Sequence, residues 1–482
     1  MANGLPTLQL IGTVGKSLDE SRERVRSAFA SSGIEMPKKK ITVNISPSDV
    51  AKNGAHYDLA IALSVLLESK QIKKENLAEI PVILGELGLD GDIKPVRGIL
   101  GKILAAKRAG FQHFIVPKAN EQQAALLPNI YLYPVESLQA LKKSLESLGL
   151  EYYFTKDGLT LSTKSGYARI DLSEIIGQTA AKRALIIAAA GQHNILLSGP
   201  PGVGKSMLAK AMIGIMPTLS RDEVITITHL HSLVGVQSAE LIQSRPLRSP
   251  HHSSSDVSII GGGQNPKPGE ITLAHGGILF LDELPEFKRS TIEALRQPLE
   301  DRVVTVARAK DTMTYPADFI LIATKNPCPC GYYGSSKPCN CTPLEIDRYQ
   351  KKLSGPLLDR IDLHVTVDSI DHEKLLSESP IAERENSNAA RVKVEKVIAK
   401  QQVRFKNTTS KNGSMSNREI KQYAKLSPTA KELLDTAARK LDLSARVYMK
   451  TIKLARTIAD LDDSDNIELL HISEALQYRP SK

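Results

Sequence analysis

The chain has 482 residues, 41% hydrophobic and 24% charged, with a formal net charge of +10. At ~150 residues per domain that length allows about three domains with sizeable cores. No run approaches the ~18 apolar residues of a membrane span, and the first residues have neither the basic start nor the apolar stretch of a signal peptide, so a cytoplasmic chain with no membrane partner is expected. Trp is absent, so the cores should be aliphatic, and the basic balance favours polyanions such as nucleic acid. All four cysteines fall between 328 and 341, which fits a metal or thiol cluster in a reducing compartment better than a disulfide framework.

Residues 1–147 read as a mixed α/β domain. A charged amphipathic helix is predicted over 18–31, with Val25 and Phe29 four apart on one face. Strands are predicted over 41–45, 82–87 and 114–116, the last stopped by Pro117. Helices are predicted over 59–67 and 99–109, the second ended by Gly110. Residues 148–170, polar and carrying Gly158 and Gly166, read as a linker.

The stretch Gly199-Pro200-Pro201-Gly202-Val203-Gly204-Lys205-Ser206 is G-x-x-x-x-G-K-S. The apolar run 195–197 before it reads as a buried strand, and 206–212 after it as a helix. Glycines let the backbone wrap a phosphate while the amide N–H groups and the helix dipole point at it. Lys205 would reach the β- and γ-phosphates of ATP, and Ser206 would ligate Mg²⁺. Residues 276–283 then form an apolar run ending in Asp282 and Glu283, the pattern of a central parallel strand whose C-terminal end meets the ligand. Asp282 would hold the Mg²⁺ hydration shell, and Glu283 would polarise the attacking water as base.

A helix over 291–299 leads into 303–315, where alternating Val residues and a short polar turn predict a β-hairpin. Arg308 and Lys310 stand at or beside its tip and are the expected DNA contacts, gripping phosphates without regard to sequence. A buried strand over 319–324 ends near Asn326. Then come Cys328, Cys330, Cys339 and Cys341, spaced C-x-C-x8-C-x-C. These four either close a tetrahedral Zn²⁺ site or serve as reduced or redox-active thiols. His251 and His252 have no second ligand pair at suitable spacing and read as loop residues making polar contacts. Residues 368–482 read as helical over 391–403, 417–423, 428–441, 445–459 and 472–478.

The stretches 85–91, 94–99 and 105–110, beginning Gly85-Glu86-Leu87-Gly88, Lys94-Pro95-Val96-Arg97 and Ala105-Ala106-Lys107-Arg108, resemble the proteolytic domain of Lon proteases. A Lon-type site needs a Ser nucleophile activated by a Lys. Lys52 to Asp58 resembles the nucleophile segment, but His56 stands where the Ser belongs, and Leu100 occupies the Lys position. Lys102, two residues on, falls on a different face of the helix. The resemblance therefore implies the fold without peptidase chemistry; His56 and Asp58 read as solvated loop residues rather than as a polar site of their own. It also implies a further strand or two ahead of Asn3, so a missing edge strand or a misassigned start is expected.

The segment Ile175-Ile176-Gly177-Gln178 resembles the adenine-contacting segment of AAA+ ATPases, which makes Ile176, Gly177 and Gln178 nucleotide-binding candidates. The order of phosphate loop, Asp-Glu strand and Asn strand is the AAA+ order. By that resemblance Asn326 is the first sensor of the γ-phosphate, and Arg446, in Ser444-Ala445-Arg446, is the second. Leu357-Leu358-Asp359-Arg360-Ile361-Asp362 resembles an arginine-finger segment, so Arg360 would reach a neighbouring subunit's ATP. The hairpin ahead of the first sensor, and residues 229–270 as a further insertion, resemble the clade of MCM helicases and magnesium-chelatase motor subunits. There Arg308 falls near a pore lysine.

Taken whole, the chain is similar to the ComM/YifB family of magnesium-chelatase-like AAA+ ATPases. The family implies an α/β fold class: a Lon-like domain over 1–147, a linker over 148–170, an AAA+ P-loop core over 171–367 and an all-α lid over 368–482. It implies a homo-oligomer, a hexamer, using ATP and Mg²⁺ to move single-stranded or branched DNA in recombination or natural transformation. Two other functions compete: a chelatase-type motor driving metal insertion or remodelling a partner protein, and an ATP-dependent Lon-like protease.

Overall fold

The computed structural model describes residues 1–2, 4–12, 16–47, 52, 54–73, 80–147, 149–156, 170–235, 241–263, 267–307, 312–369 and 385–480. The chain folds as two compact units, one of residues 1–162 with 220–242, the other of 163–219 with 243–482. Residues 220–242, which the sequence places inside the stretch 171–367, thus group with the first unit. Their helix, Arg221–Ser232, opens on a Ser220–Glu223 capping box and packs on the helix Ile99–Arg108. Arg221 Nε donates to the Leu126 carbonyl at 2.9 Å, which ties the helix to the same unit.

The first unit is mixed α/β. The helix Ser21–Ser31 buries Val25, Ala28 and Phe29, which join one core with Leu59, Ala62, Leu63 and Leu66 of the helix Asp58–Glu68. A four-stranded sheet runs in the order Val82–Ile83, His113–Pro117, Tyr131–Val135, Tyr153–Phe154. Its first three strands are parallel and the fourth is antiparallel. Two expectations change here. The strand expected over 82–87 is two strands, because Glu86–Leu87 leaves the sheet to pair with Ile93–Lys94 in a hairpin. The linker expected over 148–170 contributes Tyr153–Phe154 to the sheet, where the aromatic rings of Phe154 and Tyr131 pack 4.8 Å apart. A strand not expected, Thr7–Ile11, pairs in parallel with Lys40–Asn44.

The second unit is built on five parallel strands, in the order Leu247–Arg248, Ile278–Leu281, Ile320–Lys325, Ile195–Ser198, Leu363–Thr366. Alternate residues point to opposite faces of a strand. Ile195, Leu197, Ile278, Phe280, Ile320 and Ile322 therefore enter one core, and Leu196, Leu279, Leu281, Leu321 and Ala323 the other. Both faces are buried, which is why these strands read as unbroken apolar runs. The first core continues without a break into the C-terminal helices Ser387–Phe405, Asn417–Tyr423, Pro428–Leu441, Ala445–Leu461 and Leu469–Gln477.

The helix expected over 291–299 is two short helices, Arg289–Ala294 and Arg296–Asp301. Pro298 lacks the N–H that would bond back to residue 294, so the turn breaks there. A hairpin follows, Val303–Ala307 against Thr312–Pro316, in register from Val303↔Pro316 to Ala307↔Thr312. Its tip, with Arg308 and Lys310, lies outside the described residues.

Candidate nucleotide site

The strand Ile195–Ser198 delivers the chain into the phosphate loop at the carboxyl end of the sheet, where open α/β sheets bind ligands. Gly199 has to be glycine: a Cβ there would lie 2.2 Å from the Val367 carbonyl oxygen. Gly202 and Gly204 turn the loop with φ of +83° and +92°, and among the described residues no atom lies within 4 Å of a Cβ built on either. The loop ends at the N-terminus of the helix Lys205–Ile215, with Pro201 exposed and Pro200 and Val203 half-buried along it. Lys205 is buried, and its ammonium donates to the carbonyls of Gly199 (2.6 Å) and Pro200 (2.8 Å) and to Asn326 Oδ1 (3.1 Å). Burial draws its pKa below the ordinary lysine value, while Asp282 and Glu283 act in the opposite direction. The candidates Lys205 and Asn326 are therefore brought into contact from two neighbouring strands.

The carboxyl end of Ile278–Leu281 carries the acidic pair. Ser206 Oγ donates to Asp282 Oδ2 at 3.1 Å. These two oxygen groups side by side suit a hard cation such as Mg²⁺. Thr324 was not singled out by sequence, and it orders the pair: its Oγ1 donates to Asp282 Oδ1 (2.6 Å) and accepts from the Glu283 backbone N–H (2.8 Å). The signal was in the register, since Leu281 pairs with Ala323 and the next residues on each strand are Asp282 and Thr324. Glu283 adopts a left-handed φ of +53° and leaves the strand line exposed. A non-glycine residue held there is strained.

Gly177 and Gln178 are both left-handed, with φ of +57° and +54°. The turn follows Ile176 and opens the helix Thr179–Gly191, and Gln178 Nε2 donates to the Asp368 carbonyl at 2.7 Å. Arg360 and Arg446 meet on one carboxylate that the sequence did not flag. Glu300 accepts from Arg360 Nε at 3.1 Å and from Arg446 Nη2 at 2.8 Å. Hydrogen bonding from Arg360 holds the Glu300 carboxyl below its ordinary pKa, with both arginine charges adding to it. Behind them Lys450 pairs with Asp362 at 3.3 Å and donates to the Ile361 carbonyl at 3.0 Å. The helix bearing Arg446 is thereby fastened to the segment bearing Arg360.

Residues 171–375 match the family described as "Magnesium chelatase, subunit ChlI". Residues 1–120 match "Subunit ChlI of Mg-chelatase", and 384–479 match "Magnesium chelatase, subunit ChlI C-terminal". The chain is 40% identical over 481 residues to "Uncharacterized protein YifB" of Escherichia coli, covering 99% of this chain and 92% of that one. The chain belongs to the ComM/YifB family of magnesium-chelatase-like AAA+ ATPases. A second relative is "Competence protein ComM" of Haemophilus influenzae, 39% identical over 483 residues, 99% of this chain and 93% of that one. "Lon protease 2" of Syntrophobacter fumaroxidans is 32% identical over 136 residues, 26% of this chain and 17% of that one.

The Lon-like unit of this family member differs from expectation beside the dyad positions. Asp58 is not a solvated loop residue. It is fully buried at the first turn of its helix, where a carboxylate suits the helix dipole. Arg24 Nε donates to its Oδ2 at 2.6 Å, and the Leu87 N–H donates to the same oxygen at 3.3 Å. His56 is half-buried with its ring 4.1 Å from that of Tyr57. Leu100 is core. Lys102 donates to the Arg97 carbonyl at 2.9 Å. Burial first, and then the Lys102 charge, push the His56 pKa down to about 4.

The four cysteines come together: their sulfurs all lie within 4.8 Å of one another. No other group of three or more His, Cys, Asp or Glu residues suited to a metal occurs among the described residues. The rings of His251 and His252 lie 4.0 Å apart, tilted by 35°, and His251 Nδ1 shares a hydrogen bond with Ser253 Oγ at 2.8 Å. Among the described residues no helix is long and apolar enough to cross a membrane.

Proposed function

We propose that this chain is a ring-forming, ATP-driven DNA motor of the branch-migration or translocase kind, working as a homo-oligomer in the cytoplasm. The observation that carries the ATPase step is the convergence of Lys205 with Asn326 and of Ser206 with Asp282, Thr324 and Glu283 at one strand-end cluster. In the proposed step Lys205 exchanges its carbonyl partners for the β- and γ-phosphates. Ser206 and Asp282 would hold Mg²⁺, which would supply positive charge to the transferring phosphoryl group. Glu283 takes the proton of the attacking water, and Asn326 positions that water. Ile176, Gly177 and Gln178 face the adenine. Arg360 acts on the ATP of the neighbouring subunit, and Arg446, held with it on Glu300, acts on its own or the neighbour's ATP.

DNA as the moved polymer is supported by the word competence in one relative's name, the net charge of +10 and the hairpin that brackets Arg308 and Lys310. A chelatase-type motor is the second reading, favoured by the family descriptions that match all three stretches. ATP turnover measured with and without single-stranded and branched DNA separates the two. DNA stimulation is expected. Turnover indifferent to every DNA form would favour the chelatase reading.

A further inference from the structure

We propose that Cys328, Cys330, Cys339 and Cys341 bind one Zn²⁺ ion, and that the ion fastens the segment behind Asn326 to the phosphate loop. The sulfur separations are 3.4 Å for Cys328–Cys330, 3.7 Å for Cys328–Cys339 and 3.5 Å for Cys330–Cys339. A disulfide needs ~2.05 Å, so these sulfurs are not bonded pairs. A tetrahedral zinc site with Zn–S of ~2.3 Å has sulfurs ~3.8 Å apart, which is the spacing approached here. The fourth sulfur lies within 4.8 Å of the rest. The set is four thiols with no carboxylate or imidazole, and soft thiolate donors select zinc over the oxygen-loving cations. An iron–sulfur cage holds its thiolates farther apart than one ion does, so a mononuclear site fits better.

Two backbone N–H groups already serve the sulfurs. The Cys330 N–H donates to Cys341 Sγ at 3.4 Å, and the Tyr333 N–H to Cys328 Sγ at 3.3 Å. Four thiolates around one Zn²⁺ leave net negative charge, and N–H donors aimed at sulfur offset it. These bonds also fix the loop: the chain leaves Cys330 through Gly331, which has φ of +86°. A Cβ on Gly331 would lie 2.7 Å from Pro201 Cδ and 3.9 Å from Asn326 Cγ. The knuckle thus begins two residues after Asn326 and touches the phosphate loop three residues further on. An ion gripping Cys328 and Cys330 holds the knuckle whose Gly331 makes that contact with Pro201.

The fastening half of the proposal rests on the ATPase reading, whereas the ion itself does not. Zinc in the purified full-length protein is counted by plasma mass spectrometry after gel filtration. About one zinc per chain is expected, with or without nucleotide. Exchange with Co²⁺ should give the intense visible bands of a tetrahedral cobalt–thiolate centre. Cys328→Ser with Cys341→Ser should abolish both signals. If that variant does not fold, the wild-type zinc count and cobalt spectrum still decide. Four freely reactive thiols, or disulfides seen by mass, with no zinc and no cobalt bands, would overturn the site. Removing the zinc with a chelator should lower ATP turnover on the order of tenfold, because a misplaced Asn326 loses alignment with the water. Unchanged turnover after zinc removal would overturn the fastening role. A zinc-loaded protein that never hydrolyses ATP would sink the ATPase reading and leave the ion standing.

Discussion

The loops that lead into Lys205–Ile215 and Asp58–Glu68 both set polar groups at the N-terminus of an apolar helix, and they use that terminus differently. The first keeps its helix end open, with glycines at positive φ and the ammonium of Lys205 resting on loop carbonyls that it can leave. The second fills its helix end from within: the Asp58 carboxylate satisfies the helix dipole and is closed over by Arg24. An open positive terminus invites a phosphate, and one neutralised by its own chain does not. The polar side chains divide the same way. Acid, hydroxyl and ammonium converge around Asp282 and Asn326, while the dyad positions of the Lon-like unit hold an imidazole and a core Leu100.

Removing the proposed base, Glu283, from the open site should have the largest effect. Glu283→Gln is expected to lower the ATP turnover rate by about a thousandfold, within the range of a lost general base, with ATP still bound. A fully active Glu283→Gln protein would end the contrast between the two regions, since neither would then hold a catalytic group. From the other side, the first unit should cleave no casein-type substrate. Cleavage abolished by His56→Ala would show that it keeps chemistry of its own.

Next in size is the arginine pair. Arg360→Ala should cost about a hundredfold in turnover, the scale of one lost transition-state donor. If Arg360 serves a neighbour, mixing Arg360→Ala with Lys205→Ala protein restores part of the activity at mixed interfaces. Wild-type turnover by a dilute, demonstrably monomeric sample would refute that arrangement. Glu300→Gln should keep the fold and alter the nucleotide affinity, because both arginines lose their resting partner.

What was legible in the sequence follows from distance along the chain. The phosphate loop is one local motif, and its strand, turn and helix were all readable. Apolar runs gave the central strands because burial on both faces leaves no polar alternation to obscure them. Thr324 ends an apolar strand that is legible, but its place opposite Asp282, one step past the Leu281–Ala323 pair, is set by the strand register. Glu300 was not, since it lies 60 residues from Arg360 and 146 from Arg446. Arg24 and Asp58, 34 apart, were hidden for the same reason, and Asp58 was misread as solvated. The return of 220–242 to the first unit is a tertiary choice that its amphipathic helix, alike in either setting, does not reveal.

The hairpin tip should matter less to hydrolysis and more to DNA. Arg308→Ala with Lys310→Ala is expected to leave ATP turnover without DNA nearly intact. It should weaken DNA binding and lower the salt slope by about two, one for each lost phosphate contact. A double variant that binds and moves DNA like the wild type would remove the hairpin from the mechanism.

The smallest expected effect is acid sensitivity, and it too separates the regions. His193 and His364 in the second unit and His56 in the first all have pKa values pushed down to about 4, by burial first. His193 is 1% exposed, and its Nε2 is bonded to Thr457 Oγ1 at 2.8 Å. Asp362 pulls its pKa up, while Lys453, Lys450 and Arg302 push it further down. The unfolded chain takes up protons at these rings near the ordinary ~6.5, and the folded chain resists until about 4. Between those values the unfolded state binds more protons, so stability falls as the pH drops and levels off below the lower value. The fully buried His193 ring contributes at most ~1.4 kcal/mol per pH unit, and the half-buried His364 and His56 contribute less because solvent screens them. His229, half-buried in the first unit, is lowered by burial as well, so each unit holds two such rings; the fully buried His193 makes the second unit the one expected to lose stability more steeply between pH 6.5 and 4. Hydrogen exchange followed at several pH values reads the two units separately. His193→Gln should flatten the slope in the second unit and leave the first unchanged. Equal slopes in both units, or a slope that His193→Gln does not alter, would remove the buried imidazoles as the cause.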